Sequence, residues 1–216
     1  MARKKVKRRD NTKIALIVIV VILLAAAVFY FRGSIFPKKQ AAATSLTYTL
    51  TYNGFDFAYV DGLWYTVVKS QDHKFGFKIA LHYNPGEIKD FPVDGNLSAF
   101  LPVTKGYIAF DPMETQLGYV IVANGELSLT LATAFKAVQL QPLNLTTVCT
   151  KNDYRGCGRY PILDCNTSKE KVVYLRQSDD PRIIVVNQTC IIVQGRDYDL
   201  VKGVDRILYS WFNVMP

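Results

Sequence analysis

The longest uninterrupted apolar stretch comes early: IALIVIVVILLAAAVFYF, residues 14–31, carries no charge between Lys13 and Arg32. At about 1.5 Å per residue, a helix over this run is about 27 Å long, close to the hydrocarbon thickness of a bilayer. A helix packed into a soluble core would show a polar stripe, and this run has none over about five turns. Seven Lys or Arg residues precede the run and three follow closely, so the positive-inside bias predicts a cytoplasmic N-terminus and an exported remainder. Ala25-Ala26-Ala27 fits the small-residue rule of a cleaved signal peptide. The apolar VFYF that follows directly is not the polar region such a site needs, so an uncleaved anchor is expected. The sequence thus divides into a basic cytoplasmic flank (1–13), a transmembrane helix (14–31), a tether (32–44) and an extracytoplasmic domain (45–216).

From Leu46 the period shortens to two. LTYTLTY, FDFAYV and LWYTVVK are rich in β-branched and aromatic residues and are separated by Asn53-Gly54 and Asp61-Gly62, both strong hairpin signals. FGFKIALHY, KGYIAF and GYVIVA read as further strands, and NPGEIKDFPVDGN between the first two reads as a loop or short helical turn. After Asn124-Gly125, the residues Leu127, Leu131, Ala134, Phe135 and Val138 recur at spacings of three and four, which predicts a helix. VVYL, IIVV and CIIVQ read as buried strands. A closing helix then places Leu200, Val204, Ile207, Leu208, Trp211 and Phe212 on one face, with Lys202, Asp205, Arg206 and Tyr209 on the other and Asp197 or Asp199 as cap. The expected fold class is α+β: one mostly antiparallel β-rich domain with two helices, the last at the C-terminus.

Composition agrees with a folded domain, since half the residues are hydrophobic. The net charge of +8 at first suggests a nucleic-acid partner, but residues 1–43 hold ten basic groups against one acid. Residues 44–216 carry 16 basic and 17 acidic groups, so the domain lacks the positive field that phosphate binding requires, and no nucleic-acid partner is expected.

The cysteines read C-x7-C-x7-C-x24-C, without the close pairs that pre-arrange tetrahedral zinc or a thioredoxin-type redox centre. An even number in an exported domain favours disulfides. Three connectivities are open; the economical one joins Cys149 to Cys157 across TKNDYRG and Cys165 to Cys190. Asn-x-Ser/Thr occurs at Asn96, Asn144, Asn166 and Asn187, all downstream of the apolar run, against about one match expected by chance, and marks candidate glycosylation sites.

No phosphate loop, dinucleotide fingerprint, nucleophile elbow, zincin helix or EF-hand loop is present, and no cofactor or metal is expected. Of the two histidines, His73 lies in a polar turn and His82 at a strand end, where it has the position of a general base. The chain resembles membrane-tethered cysteine transpeptidases in its anchor, its β-rich domain and Thr189-Cys190. That resemblance assigns Cys190 as nucleophile, His82 as its proton partner and Arg196 as oxyanion support. The acid pairs Glu87/Asp90 and Asp197/Asp199 suit turns and caps better than glycosidic or calcium chemistry.

LWYT, LHYNPGEI, CIIVQG and DRILYSW behind a short anchor resemble small single-pass envelope proteins of archaeal genomes. The resemblance implies a location and no activity. The expectation is therefore a non-enzymatic, membrane-anchored domain serving envelope structure, adhesion or assembly. It would contact the bilayer through residues 14–31 and an envelope protein or glycan through the domain, with tyrosine-rich strands as a recognition surface. The tethered transpeptidase is the alternative.

Overall fold

Four strands joined by tight turns open the described part of the chain: β1 (Tyr48–Tyr52), β2 (Phe55–Val60), β3 (Leu63–Lys69) and β4 (Gly76–Leu81) form an antiparallel meander in that order. The structure, a computed structural model, describes residues 48–69, 76–100, 105–137, 144–152 and 157–216. The flank, apolar run and tether expected at 1–44, and His73, lie outside the described residues.

Both expected hairpins form as the turn chemistry dictates. Asn53 and Gly54 adopt φ of 47° and 79°, and Asp61 and Gly62 adopt 50° and 87°, the positive values that a two-residue turn of matching twist needs. Register then follows the alternation: Phe57, Trp64, Val68, Phe77, Ile79 and Leu81 are buried on one face.

The rest of the domain comprises α1 (Pro85–Ile88), β5 (Val93–Asp94), β6 (Lys105–Phe110), α2 (Leu117–Ala137), β7 (Asn144–Cys149), β8 (Lys171–Gln177), β9 (Arg182–Asn187), β10 (Cys190–Gly195) and α3 (Asp199–Trp211). The strands form a second sheet in the order β5-β9-β10-β8-β6-β7. The α+β class and an antiparallel sheet are as expected, with three helices and the last at the C-terminus. The second sheet differs: only β9–β10 is antiparallel, while β5–β9, β10–β8, β8–β6 and β6–β7 are parallel. The reason is a crossover. Parallel neighbours need a long connection, and α2 supplies it between β6 and β7.

Two expectations are corrected here. GYVIVA is not a strand, and the helix expected after Asn124-Gly125 begins before it: both stretches lie within the single helix α2. Val120, Ala123, Leu127, Leu131 and Ala134 are buried at helical spacing across the Asn-Gly pair. Each large buried apolar side chain is worth about 1.5–3 kcal/mol. That outweighs the cost of about 1 kcal/mol for one helical glycine. NLTTVC, to which the sequence reading gives no element, is the strand β7.

α3 lies between the sheets. Its Tyr209 ring meets Phe57 of the meander edge-on at 5.8 Å, and its Gly203 faces Val193 of the second sheet so closely that a Cβ there would lie 2.5 Å from Val193 Cγ1. Leu200, Val204, Ile207, Leu208 and Trp211 are buried as expected. Asp205 and Tyr209, assigned by sequence to the polar face, are both 0 % exposed. The cap expectation also changes: Tyr198 occupies the N-cap without a side-chain bond, Asp199 pairs with Lys202 at 2.8 Å, and Asp197 accepts from Gln116 at 2.8 Å. Trp211 donates to the Leu97 carbonyl at 3.1 Å and stacks on Phe100.

Gly203→Ala is expected to destabilise the domain by about 1–3 kcal/mol, because the added methyl must displace Val193 or α3 from a packed layer. Denaturant unfolding of the purified chain, followed by tryptophan fluorescence, measures the loss.

Candidate functional site

Where β4 ends, the chain turns through His82, Tyr83 and Asn84, and three successive backbone N–H groups leave the ladder. The His82 N–H donates to Glu126 Oε1 at 2.9 Å, the Tyr83 N–H to Asp205 Oδ2 at 2.9 Å, and the Asn84 N–H to Glu87 Oε2 at 2.8 Å. The three carboxyl groups come from α2, α3 and α1. His82 Nδ1–H donates to the second oxygen of Glu126 at 2.8 Å, which leaves its Nε2 as the other ring nitrogen. The Tyr209 hydroxyl donates to the Tyr83 carbonyl at 2.8 Å.

Glu87 is set by a capping box: Asn84 accepts from the Glu87 N–H while Glu87 accepts from the Asn84 N–H, with Pro85 fixing the first helical residue. Glu126 is the only acid within α2, and its side chain is 5 % exposed. Asp205 is wholly buried one turn before Tyr209.

Burial raises the pKa of Glu126, partly opposed by the charge of His82 beside it. Burial raises that of Asp205 well above the ordinary carboxyl value, and the neighbouring Glu126 charge adds to the effect. Asp205 Oδ1 has no partner as a bare acceptor. The two carboxyl groups lie within hydrogen-bonding reach, so a proton on Oδ1 turns that orphan into a donor toward Glu126. Burial and mutual repulsion push both carboxyl groups toward the protonated form, Asp205 the more strongly. Tyr83 is pushed up to about 12, chiefly by burial and then by the charge of Asp205, and Tyr209 is raised for the same two reasons.

A carboxylate-held imidazole beside a second acid is the equipment of proton transfer. Here both acids are already committed to backbone amides, and Asp205 is sealed from solvent. The exposed side of His82 opens on a groove of about 400 Å3 between β4 and α2. Its walls include Leu63, Ala80, Ile121, Val122 and Leu129, with Lys78 as the only lysine.

The cysteines pair as the economical connectivity expects: Cys149 with Cys157 at a Cα separation of 5.9 Å, and Cys165 with Cys190 at 5.4 Å, leaving no free cysteine. The transpeptidase constellation does not assemble. Cys190 is 1 % exposed and bonded to Cys165, so no thiolate is available there. Arg196 projects at the surface, paired with Asp179 at 2.6 Å. It also lies at the far end of β10 from Cys190, a span of roughly 20 Å in an extended strand. His82 is engaged by Glu126.

Of the acid pairs, Glu87 serves its cap while Asp90 is exposed. Among the described residues no group of three or more His, Cys, Asp or Glu side chains is arranged to hold a metal ion. Asn96, Asn144, Asn166 and Asn187 are all exposed.

Sequence reading missed Glu126, Asp205 and Tyr209. The signal was present for Asp205: it falls on the line of Val201 and Leu208, a buried helical stripe interrupted by one acid. Comparison with protein-family models, curated proteins and solved structures finds no match to the chain.

The raised pKa of Asp205 sets a pH dependence. A carboxyl held neutral in the fold but ionised when unfolded above about 3.9 contributes fully below that value and loses its contribution as pH rises through the folded value. The groups acting with it are the His82 and Tyr83 amides after β4, Glu126 on α2 and Tyr209 on α3. Asp111 and Asp164, whose pKa values are lowered, act in the opposite sense and only at more acidic pH. Melting temperature is therefore expected to fall as pH rises above about 4. Asp205→Asn, which keeps an acceptor for the Tyr83 N–H and donates to Glu126, is expected to flatten that slope. Asp205→Leu, which orphans the same N–H, costs about 1–3 kcal/mol at every pH. An unchanged slope in the Asn variant would contradict a raised pKa at Asp205.

Proposed function

We propose that this chain is a single-pass membrane protein with a cytoplasmic N-terminus, whose exported domain is a non-enzymatic structural and assembly module of the cell envelope. The observation that carries the reading is the state of the cysteines: all four are consumed in two cross-links, and one ties residues 25 apart. Such cross-links persist where thiols are not kept reduced. The uncharged run at 14–31 and its basic flank supply a route there.

Two further observations support the reading. The exposed positions of Asn96, Asn144, Asn166 and Asn187 leave room for glycans in an organism that attaches them. The groups best suited to catalysis, Glu126 and Asp205, brace the backbone, and a catalytic acid or base needs freedom to gain and lose its proton. Tyr48, 61 % exposed on the outermost strand of the meander, offers an amphipathic ring to an envelope protein or glycan.

Protease treatment of intact cells is expected to remove the domain and leave a protected N-terminal fragment. Peptide mapping without reduction should recover Cys149 linked to Cys157 and Cys165 linked to Cys190, with no thiol alkylated in the native chain. A sheltered domain with four reactive thiols would sink the proposal. Replacing Cys165 and Cys190 together by Ser is expected to cost on the order of 3 kcal/mol, read as a lower melting temperature.

A further inference from the structure

α2 is apolar on both sides. Its inner face packs on α3 and β4. Its outer face presents Gly118, Ile121, Val122, Gly125, Leu129 and Ala132, with Ile121 69 % and Leu129 71 % exposed. At 100° per residue these positions fall within about a third of the helix circumference, with Lys136 as the one charge on that arc. By length and composition α2 alone among the described helices would suffice to cross a bilayer, and a helix that is hydrophobic all round is normally covered all round.

The glycines sharpen this. Gly203 on α3 has its reason inside the chain, in Val193. Gly125 and Gly118 have none: nothing lies within 4 Å of a Cβ at either position. Neither crowding nor positive φ explains a glycine in the middle of this helix.

We infer that the outer face of α2 is the contact between two copies of this chain, packed antiparallel about a twofold axis through Gly125. The pattern is its own complement under that operation. Ile121 and Leu129 lie four residues either side of Gly125, and Gly118 and Ala132 seven. A twofold therefore sets Ile121 of one copy over Leu129 of the other, small residues over small residues, and glycine on glycine at the crossing. The groove beside α2, about 400 Å3 and walled by Leu63 and Ala80, receives the partner's larger side chains.

A footprint about 27 Å long and about 11 Å wide covers roughly 300 Å2 per copy, or about 600 Å2 in all, less than a freely diffusing pair needs, so the contact depends on confinement of both copies. The inference deepens the assembly reading and rests on it in one respect: anchoring through residues 14–31 confines both copies to one surface and raises their effective concentration.

The test is site-directed cross-linking of the full-length chain in its membrane with a short, membrane-permeant bismaleimide, against the wild-type chain as background. Gly125→Cys, which meets open space within its own chain, is expected to form a linked dimer in at least fivefold greater yield than Val186→Cys, a more exposed position on β9. Co-expressed Ile121→Cys and Leu129→Cys chains should link to each other several times better than either links to itself. Adding Leu129→Glu to Gly125→Cys should reduce the yield to the Val186→Cys level. Equal yields at positions 125 and 186, self-linking of Ile121→Cys above the mixed pair, or indifference to Leu129→Glu would each overturn the inference. So would a thiol at 125 that reacts only after detergent extraction, since lipid would then cover the face. Because the reagent crosses membranes, a domain found on the cytoplasmic side would defeat the export reading and leave this measurement readable.

Discussion

Three consecutive amides, at His82, Tyr83 and Asn84, face a part of the protein with no strand left to receive them, and the arrangement of the domain follows from how they are satisfied. A buried N–H without an acceptor costs about 1–3 kcal/mol, so three in a row would consume much of the stability of a domain this size. Each is met by a carboxyl group from a different helix. The point where the chain leaves the meander is thereby the point where α1, α2 and α3 converge. The cost is that three acids gather in a space with one imidazole. Burial and proximity both disfavour ionising the inner pair together, which raises the pKa of Glu126 and, more strongly, that of Asp205.

From that junction the two halves of the domain are secured by different means. The meander needs only local devices: its turns fix register, and the alternation of side chains fixes which face is buried. The second sheet joins strands distant in sequence, and parallel neighbours cannot be closed by short turns. α2 bridges β6 and β7 from outside, while the Cys165–Cys190 bond fastens the start of β10, paired with Val172 at the start of β8, to the loop that precedes β8. α3 then fills the space between the sheets. It tolerates almost no added volume at Gly203 and carries its one buried acid to the junction.

These differences explain which parts of the structure the sequence makes legible. Asn53-Gly54 and Asp61-Gly62 are local signals with a single geometric solution, and the meander is readable from them. The disulfide pairing is readable because both links join cysteines that are neighbours along the chain. Parallel order in the second sheet is decided by where α2 carries the chain, which no local pattern records. Asn124-Gly125 carries the same turn signal as Asn53-Gly54 and is overridden, because helical continuity buries Val120 and Leu127 on the same side. Asp205 was missed for a related reason: a helical wheel sorts acids to the solvent side, and only the orphaned Tyr83 N–H, a tertiary fact, explains why one belongs inside.

α2 is where the internal logic of the fold meets its surface. One of its sides supplies Glu126 to the junction, so the helix cannot rotate or slide without releasing the His82 amide and imidazole. A helix pinned in rotation and translation presents its opposite side in one fixed orientation, and that is what a self-complementary contact needs, since a twofold pairing about Gly125 fails if either helix turns. On the assembly reading proposed above, the buried acids that look at first like catalytic equipment serve as the anchorage of an interface. Proton transfer would require Glu126 and Asp205 to change charge during turnover, and each change would loosen an amide that positions α2. An assembly surface asks the reverse, that they keep one protonation state and hold still.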